Sequence, residues 1–190
     1  EVMKAFDSSD YRDNTIVVLW SDHGYAFGEK DHYAKNTLWE RSTHVPFIMV
    51  APGITQPGSK TDNPVDLTCL YPTLTKLCDL PVPDDLDGVD VGPLLRNPGM
   101  RWKYPAITDY LKGNTTARTK DWRYIRYDEG REGEELYDHV LDPNEWNNLI
   151  NKFPEHVQPL KAWLPEHYAQ AVPSKNAYEF NSINHSWSKK

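Results

Sequence analysis

An acid, an imidazole and a glycine follow one another at Asp22, His23 and Gly24, directly after the apolar run at 15–20. Asp22 offers carboxylate oxygens and His23 a ring nitrogen, while Gly24 allows the sharp turn that aims both side chains at one point. Ligands of open α/β sheets bind beyond the carboxyl ends of the strands. The triplet therefore predicts a metal or substrate site at a strand end, with a purely structural turn as the alternative.

The segment after this triplet is rich in charged and aromatic side chains that could complete such a site. It joins two apolar runs, so we expect it to lie over the same sheet edge as Asp22 and His23. Lys35 can hold an anion there, or it can form a surface ion pair with Glu29 or Glu40. The other ionisable side chains discussed below are Lys30, Asp31, His32, Arg41 and His44.

The first half of the chain follows an α/β pattern. The apolar runs at 15–20 and 45–50 predict two buried strands, the first of them parallel to its neighbours, and residues 1–10 predict the end of a helix. Asp66 can cap a later helix, in which Pro72 predicts either a kink or a later start. The apolar stripe of that helix comprises Leu67, Leu70, Tyr71, Leu74, Leu77 and Cys78. A strand, loop, strand and helix in this order indicate an α/β domain.

The second half has a different pattern. Short aromatic runs separated by glycine-containing turns predict antiparallel hairpins, at 104–110, 122–127 and 135–138. Apolar residues at helical spacing then predict a helix through Val157, Leu160, Leu164 and Tyr168. The tail is rich in Asn and Ser and is expected to be irregular. We therefore divide the chain into 1–98, 99–172 and 173–190.

Composition narrows the class of protein. The chain has 190 residues, 38% of them hydrophobic, which is enough for a packed core. A net charge of -7 without a basic cluster argues against a nucleic-acid groove, and no apolar run has the roughly 20 residues needed to cross a bilayer. Cys69 and Cys78 are predicted to be buried thiols, with a disulfide between them as the open alternative.

Several motifs in order resemble one known family. They are Ser21-Asp22-His23-Gly24, Gly28-Glu29-Lys30-Asp31-His32, Lys35, Leu38-Trp39-Glu40, Thr43-His44-Val45-Pro46, Ala51-Pro52-Gly53, Trp122-Arg123-Tyr124-Ile125, Glu135-Leu136-Tyr137-Asp138 and Asp142-Pro143-Asn144-Glu145. Together they closely resemble the C-terminal half of type I sulfatases, most of all the iduronate-2-sulfatase-like branch. The resemblance implies an α/β fold: the C-terminal part of an alkaline-phosphatase-like sulfatase sheet, followed by a small α+β subdomain with an antiparallel sheet and a helix.

The resemblance also implies roles for single residues. Asp22 and His23 match two ligands of a divalent cation, usually Ca²⁺ and alternatively Mg²⁺. Lys35 matches the catalytic lysine that holds a sulfate oxygen. His32 and His44 match positions with substrate-facing polar groups, and Arg118 is a further substrate-binding candidate that would reach back from the second subdomain.

The chemistry of a sulfate ester agrees with these roles. Its oxygens repel a nucleophile, and a divalent cation with a lysine ammonium offsets that repulsion. Because Ca²⁺ prefers oxygen ligands, the alternative is that His23 binds a substrate oxygen instead. The general acid for the leaving alcohol is His44, His32 or, preferably, a residue outside this sequence.

The nucleophile of that family is a formylglycine made from a Cys or Ser in a Cys/Ser-x-Pro-Ser/Ala-x-Arg motif, and the sequence contains no such motif. We therefore expect the chain to begin inside a longer sulfatase and to be inactive alone, with the missing N-terminal half as its partner. The expected activity is hydrolysis of a sulfated sugar or polysaccharide, in a periplasmic, secreted or lysosomal compartment. The alternatives are a phosphonate or phosphate ester hydrolase of the same superfamily and a non-catalytic fragment that binds sulfated glycans.

Overall fold

A computed structural model describes residues 1–169, 178–181 and 186–189. The first elements are helix α1 (Val2–Asp7), which confirms the predicted N-terminal helix, and strand β1 (Val17–Trp20). A long segment then contains strands β2 (Ala26–Phe27) and β3 (Tyr33–Ala34), helix α2 (Glu40–Thr43) and strand β4 (Phe47–Val50). Within the described residues, no helix is both long and apolar enough to span a membrane.

Strands β1 and β4 confirm the two predicted apolar strands but correct their environment. They pair antiparallel, with Val17 opposite Val50, so the predicted parallel direction is wrong. They are not fully buried either, because Leu19, Trp20, Ile48 and Val50 are about half exposed. In a continuous apolar run, polar and apolar residues do not alternate. Such a run therefore indicates a strand, but it does not indicate the direction of pairing or which faces are buried.

The helix after Asp66 has the predicted cap. A 3₁₀ turn (Leu67–Cys69) leads into helix α3 (Leu70–Leu77), which starts later than the apolar stripe and therefore holds Pro72 in its first turn without a kink. Cys69 is buried as predicted, whereas Cys78 is exposed, and both thiols are free. Helix α4 (Gly92–Arg96) follows, and Cys69, Val91 and Leu94 form a small core.

Asp66 joins the two halves of the chain. Its Oδ1 accepts a hydrogen bond from the Thr68 N–H at 3.2 Å, and its Oδ2 accepts one from the Ile107 N–H at 3.0 Å. We expect Asp66→Ala to lower the free energy of unfolding by about 1–2 kcal/mol, because a helix cap and an anchor for the next sheet are both lost. Urea denaturation measures this, with the exposed Asp62→Ala as the matched control that leaves the transition unchanged.

The second half is built on a four-stranded antiparallel sheet, which confirms the predicted hairpins. Its strands are β5 (Ala106–Asp109), β6 (Thr115–Arg118), β7 (Trp122–Tyr127) and β8 (Gly133–Asp138), in that spatial order. The aromatic pattern did not predict β6, whose residues Thr-Thr-Ala-Arg are polar and yet mostly buried. Helix α5 (Val157–Lys161) packs on this sheet, and the core there contains Ala117, Tyr124, Leu136, Val157, Leu160 and Leu164. The helix ends well before Tyr168, since Pro165 cannot continue it.

The tail differs from its prediction. Strands β9 (Tyr178–Asn181) and β10 (Ser186–Lys189) pair antiparallel, so an irregular tail is wrong for these residues. The Tyr-Glu-Phe-Asn sequence of β9 alternates aromatic and polar residues, a strand pattern that the high Asn and Ser content concealed. The division into 1–98, 99–172 and 173–190 stays a prediction.

Candidate active site

The structure brings Asp22, His23 and Lys35 together just beyond the end of β1. The Nε2 atom of His23 lies 2.8 Å from the Lys35 Nζ and 3.6 Å from the Asp22 Oδ2. The Nδ1 atom of His23 lies 2.7 Å from the carbonyl oxygen of Gly24, to which it donates. This bond places the ring proton on Nδ1 and leaves Nε2 as the acceptor for the Lys35 ammonium.

Gly24 is required by a close approach rather than by an unusual backbone angle. A Cβ atom at this position would lie 2.1 Å from the Arg41 carbonyl oxygen. The Gly24 N–H donates to the Ser42 carbonyl at 2.8 Å, so the triplet is tied directly to helix α2. A larger residue would push Asp22 and His23 away from this helix.

The residues around this point form an open cleft of about 1080 Å³ between the first half of the chain and strands β5 and β6. Asp22, His23, Lys35, His44 and Arg118 all line it, so five of the six predicted site residues share one cleft. His32 does not line it. Its ring lies 6.2 Å from that of Trp39, and its buried Nε2 has no hydrogen-bond partner among the described residues.

Asp22 and His23 have the chemistry of a pair of cation ligands. Two donors that each lie about 2.0–2.5 Å from one ion are roughly 3–4 Å apart, as the Asp22 oxygen and the His23 Nε2 are. The backbone carbonyl of Gly24 orients the imidazole in the way that a metal-binding histidine requires. The donor types and their separation therefore fit two of the ligands of a divalent cation, once the Lys35 ammonium, which lies 2.8 Å from the His23 Nε2, moves from that nitrogen to an anion.

A hairpin made of β2 and β3 connects His23 to Lys35, and its tip is anchored to the second sheet. At the tip, the Lys30 Nζ donates to the Tyr137 hydroxyl at 2.8 Å and to the Glu145 carbonyl at 2.6 Å. The ammonium also lies 4.4 Å from the centre of the Trp39 ring. Lys30 has a φ of 55°, a left-handed conformation that costs about 1–2 kcal/mol, so these contacts must hold it. The anchored tip restrains both ends of the hairpin, where His23 and Lys35 lie.

A buried network of charges joins helix α2 to strands β6 and β7. One oxygen of Glu40 accepts hydrogen bonds from the guanidinium groups of Arg118 and Arg123, and the other pairs with the His44 Nδ1 at 3.1 Å. Arg123 also contacts Glu145, and both side chains are almost completely buried. The Glu145 carboxylate accepts from the Glu40 N–H at 2.8 Å and lies 2.8 Å from the His139 Nε2. Glu145 therefore caps the helix that carries Glu40.

The pKa values reflect this pairing. Burial on its own would raise the pKa of Glu40, but hydrogen bonding to His44 and the charges of Arg123 and Arg118 outweigh it and hold the pKa far below its usual value. Burial would also raise the pKa of Glu145. Hydrogen bonds with His139 and the Glu40 N–H and the charge of Arg123 outweigh the effect of burial, so the pKa of Glu145 is lowered. Both carboxylates are thus ionised in the folded protein.

Glu40, His139 and Glu145 have ligand atoms within 4.8 Å of one another, a spacing that could suit a metal ion. Two guanidinium groups already neutralise these carboxylates, however, so we interpret the cluster as an internal ion-pair network and assign no metal to it. The same contacts engage Arg118. Its Nε faces Glu40 and its Nη1 donates to the carbonyl oxygens of Thr119 and Lys120, although the side chain lines the cleft.

Sequence reasoning missed the roles of Arg123 and Glu145. A usable signal was present in β7, where Arg123 and Ile125 share one face of the strand because they are two residues apart. An arginine on the same strand face as a buried isoleucine is itself expected to be buried, and a buried guanidinium requires an acidic partner. The acid itself, Glu145, lies in a polar loop, where composition does not distinguish it from surface residues.

Comparisons with known proteins identify the family of the chain. A family model described as N-sulphoglucosamine sulphohydrolase, C-terminal, matches residues 28–171. A protein named sulfatase from Formosa agariphila is 41% identical over 168 residues, which are 87% of this chain and 32% of that protein. Arylsulfatase K from Canis lupus familiaris is 30% identical over 197 residues, with 95% of this chain and 36% of that protein covered. The chain thus spans about a third of the length of these curated relatives.

Solved structures show the same relationship. A structure described as in complex with its substrate, D-glucosamine-2-N,6-O-disulfate, has a TM-score of 0.71 and 25% identity, and the match covers 85% of this chain and 35% of that one. The predicted fold class, the C-terminal part of an α/β sulfatase domain, is therefore confirmed. Within the family, the iduronate-2-sulfatase-like branch stays a prediction. The chain belongs to the sulfatase family, in the C-terminal portion that the N-sulphoglucosamine sulphohydrolase model describes.

Proposed function

We propose that this chain, as the C-terminal portion of a longer protein, contributes to a sulfuric ester hydrolase that releases sulfate from a sulfated sugar or polysaccharide. The observation that carries the proposal is the convergence of Asp22, His23 and Lys35 at one end of the cleft. A carboxylate, an oriented imidazole and an ammonium at one point are suited to a tetrahedral anion and its counterion. Membership of the sulfatase family makes a sulfate ester the preferred form of that anion.

Each residue of the cluster has a separate task in this proposal. Asp22 and His23 would hold a divalent cation, with Ca²⁺ preferred and Mg²⁺ as the alternative, and other ligands would come from outside this chain. When bound, the cation supplies positive charge to the sulfate oxygens. Lys35 binds a sulfate oxygen through its ammonium and neutralises part of the charge that repels the nucleophile.

The remaining chemistry is assigned to the preceding part of the protein. We expect the formylglycine nucleophile there, because the relatives are about three times as long as their match to this chain and the present sequence has no formylglycine motif. The general acid for the leaving alcohol is expected there as well. His44, which also lines the cleft, would contact an anionic group of the sugar.

A sulfated carbohydrate is favoured as the substrate because a disulfated glucosamine is the substrate named for a similar structure. The iduronate-2-sulfatase-like resemblance would narrow this to a sulfated uronic acid. The open cleft also suits a sugar at the end of a longer chain, since its mouth leaves room for neighbouring residues.

The test is sulfate release by the full-length protein that contains this chain, produced with its formylglycine-forming activity and supplied with Ca²⁺. Sulfated monosaccharides, sulfated oligosaccharides and the matching phosphate and phosphonate esters are offered, and free sulfate and phosphate are measured by ion chromatography. We expect sulfate release and a preference for sulfate esters of at least about tenfold, which corresponds to 1.4 kcal/mol. Removal of the divalent cation by a chelator should abolish it.

Two results would contradict the proposal. Faster turnover of phosphonate or phosphate esters would indicate the alternative hydrolase of the same superfamily. Binding of sulfated glycans without release of sulfate from any of them would indicate a non-catalytic fragment. An inactive chain tested alone would not bear on either, because the proposal places the nucleophile outside this sequence.

A further inference from the structure

His44 lies at the cleft directly after helix α2, and one of its ring nitrogens is already engaged. The Nδ1 atom of His44 pairs with the Glu40 Oε1 at 3.1 Å, one helical turn away. The His44 side chain is 75% exposed, whereas that of Glu40 is only 21% exposed. The imidazole thus extends from a fixed carboxylate into the cleft, and Nε2 is the nitrogen left for a ligand.

The Glu40 carboxylate is held in place by its other contacts. Its second oxygen accepts hydrogen bonds from Arg118 on β6 and Arg123 on β7. Arg123 in turn contacts the buried Glu145, whose carboxylate also binds the Glu40 N–H. Three side chains, those of Arg118, Arg123 and Glu145, therefore determine where the oxygen that faces His44 lies.

This arrangement favours a charged imidazole. Hydrogen bonding to Glu40 raises the pKa of His44, and although burial and the charges of Arg118 and Arg123 act in the opposite direction, the net shift is upward. Among the residues that the structure describes, Glu40 on α2, Arg118 on β6 and Arg123 on β7 are the charged groups that act on His44. An imidazolium held through Nδ1 donates a hydrogen bond from Nε2, which a neutral ring with its proton on Nδ1 cannot do.

We propose that Glu40 is a positioning residue that holds His44 as a hydrogen-bond donor, so that its Nε2–H binds an anionic group of the substrate in the same cleft as Lys35. The inference rests on the proposed function and adds a second anion-binding group to it. A site with two separated cationic donors selects a sugar that carries a second anion, a carboxylate or another sulfate, beside the reacting one.

The proposal has a defined dependence on pH. The group with the raised pKa is His44, so the donor is present at low pH and is lost as the pH rises through that pKa. The alkaline limb of kcat/KM, which reports groups of the free enzyme, should therefore move to lower pH when the Glu40 charge is removed. A residue with a purely structural role would lower activity without moving this limb.

The experiment compares Glu40→Gln, His44→Gln and the double variant in the full-length protein. We expect His44→Gln to raise KM for a doubly anionic substrate by about tenfold, the loss of one charge-assisted hydrogen bond, and to remove the alkaline limb. Glu40→Gln keeps the size of the side chain and one oxygen that can accept a hydrogen bond, but it removes the charge. It should therefore shift the alkaline limb of kcat/KM to lower pH. In the His44→Gln background, Glu40→Gln should then have no further effect on the pH profile.

Thermal unfolding of each variant and the exposed Glu132→Gln serve as controls. The proposal would be overturned if the alkaline limb of kcat/KM did not move in Glu40→Gln. It would also be overturned if Glu40→Gln changed the pH profile equally in the wild-type and His44→Gln backgrounds. If Glu40→Gln does not fold, the exposed His44→Gln decides alone, and an unchanged KM and pH profile would overturn it. If the wild-type protein releases no sulfate, calorimetric binding of a disulfated monosaccharide at several pH values keeps the question separate. Affinity that falls by the same amount with rising pH in the wild type and in His44→Gln would overturn the role of His44.

Discussion

Lys35→Ala in the full-length protein is expected to lower kcat/KM for a sulfate ester by about 10²–10³-fold or more. The Lys35 ammonium lies 2.8 Å from the His23 Nε2, so it is the positive charge closest to the predicted cation ligands. Without it, the charge on the sulfate oxygens would be neutralised less completely as the nucleophile approaches. Initial rates of sulfate release over a range of substrate concentrations measure the loss.

The protein should remain folded in this variant, because Lys35 lies in an open cleft and supports no core. Lys112→Ala is the matched control, since Lys112 is also exposed and does not line the cleft, and it should keep the wild-type rate. Unchanged sulfate release by Lys35→Ala would remove Lys35 from the active site. A matching fall in thermal stability would instead assign it a structural role.

Glu145→Ala should produce the largest loss of stability, about 3–5 kcal/mol in the free energy of unfolding. Glu145 is 1% exposed and contacts Arg123, which is 2% exposed, so its removal leaves a buried guanidinium with one partner fewer. It also removes the acceptor for the Glu40 N–H and the partner of His139. Denaturant unfolding measures the effect, and Asp62→Ala, which breaks the exposed pair with Lys120, should have no measurable effect. An equally small effect of Glu145→Ala would show that the network contributes little.

The same network makes stability depend on pH. The pKa of Glu145 is lowered in the folded protein from an ordinary value of 4.5. A carboxyl whose pKa is depressed by folding contributes stability above its unfolded pKa and loses it as the pH falls through the folded one. The wild-type protein should therefore lose stability below about pH 4.5, and Glu145→Ala should lose less over the same range.

Local patterns in the sequence predicted much of this fold. The Asp66 cap and the aromatic hairpins depend on neighbouring residues, and the structure confirms them. The helix after Asp66 is also present, but its predicted apolar stripe is not its buried face, because Tyr71 is exposed and Pro72 and Thr73 are buried. The direction of β1 and the exposure of Cys78 depend on what packs against them, which a single sequence does not contain. Strand β6 was missed because its buried threonines take their burial from the strands on either side.

The candidate site divides in the same way. The resemblance of the motifs to those of sulfatases implied that Asp22, His23 and Lys35 would meet, and the structure places the His23 ring close to both of the other side chains. The ion-pair network that holds helix α2 beside these residues could not be predicted from periodicity, because Glu145 is far from Glu40 in sequence and lies in a polar loop. Its carboxylate reaches helix α2 only because strands β7 and β8 bring the following loop beside it.

The β1–β4 ribbon has a practical consequence for production of the chain by itself. A short two-stranded pair with exposed apolar side chains offers unpaired backbone edges to any neighbour, including another copy. Expressed alone, the chain should form inclusion bodies or soluble oligomers, whereas co-expression with the preceding part of the protein should recover a single species on size-exclusion chromatography.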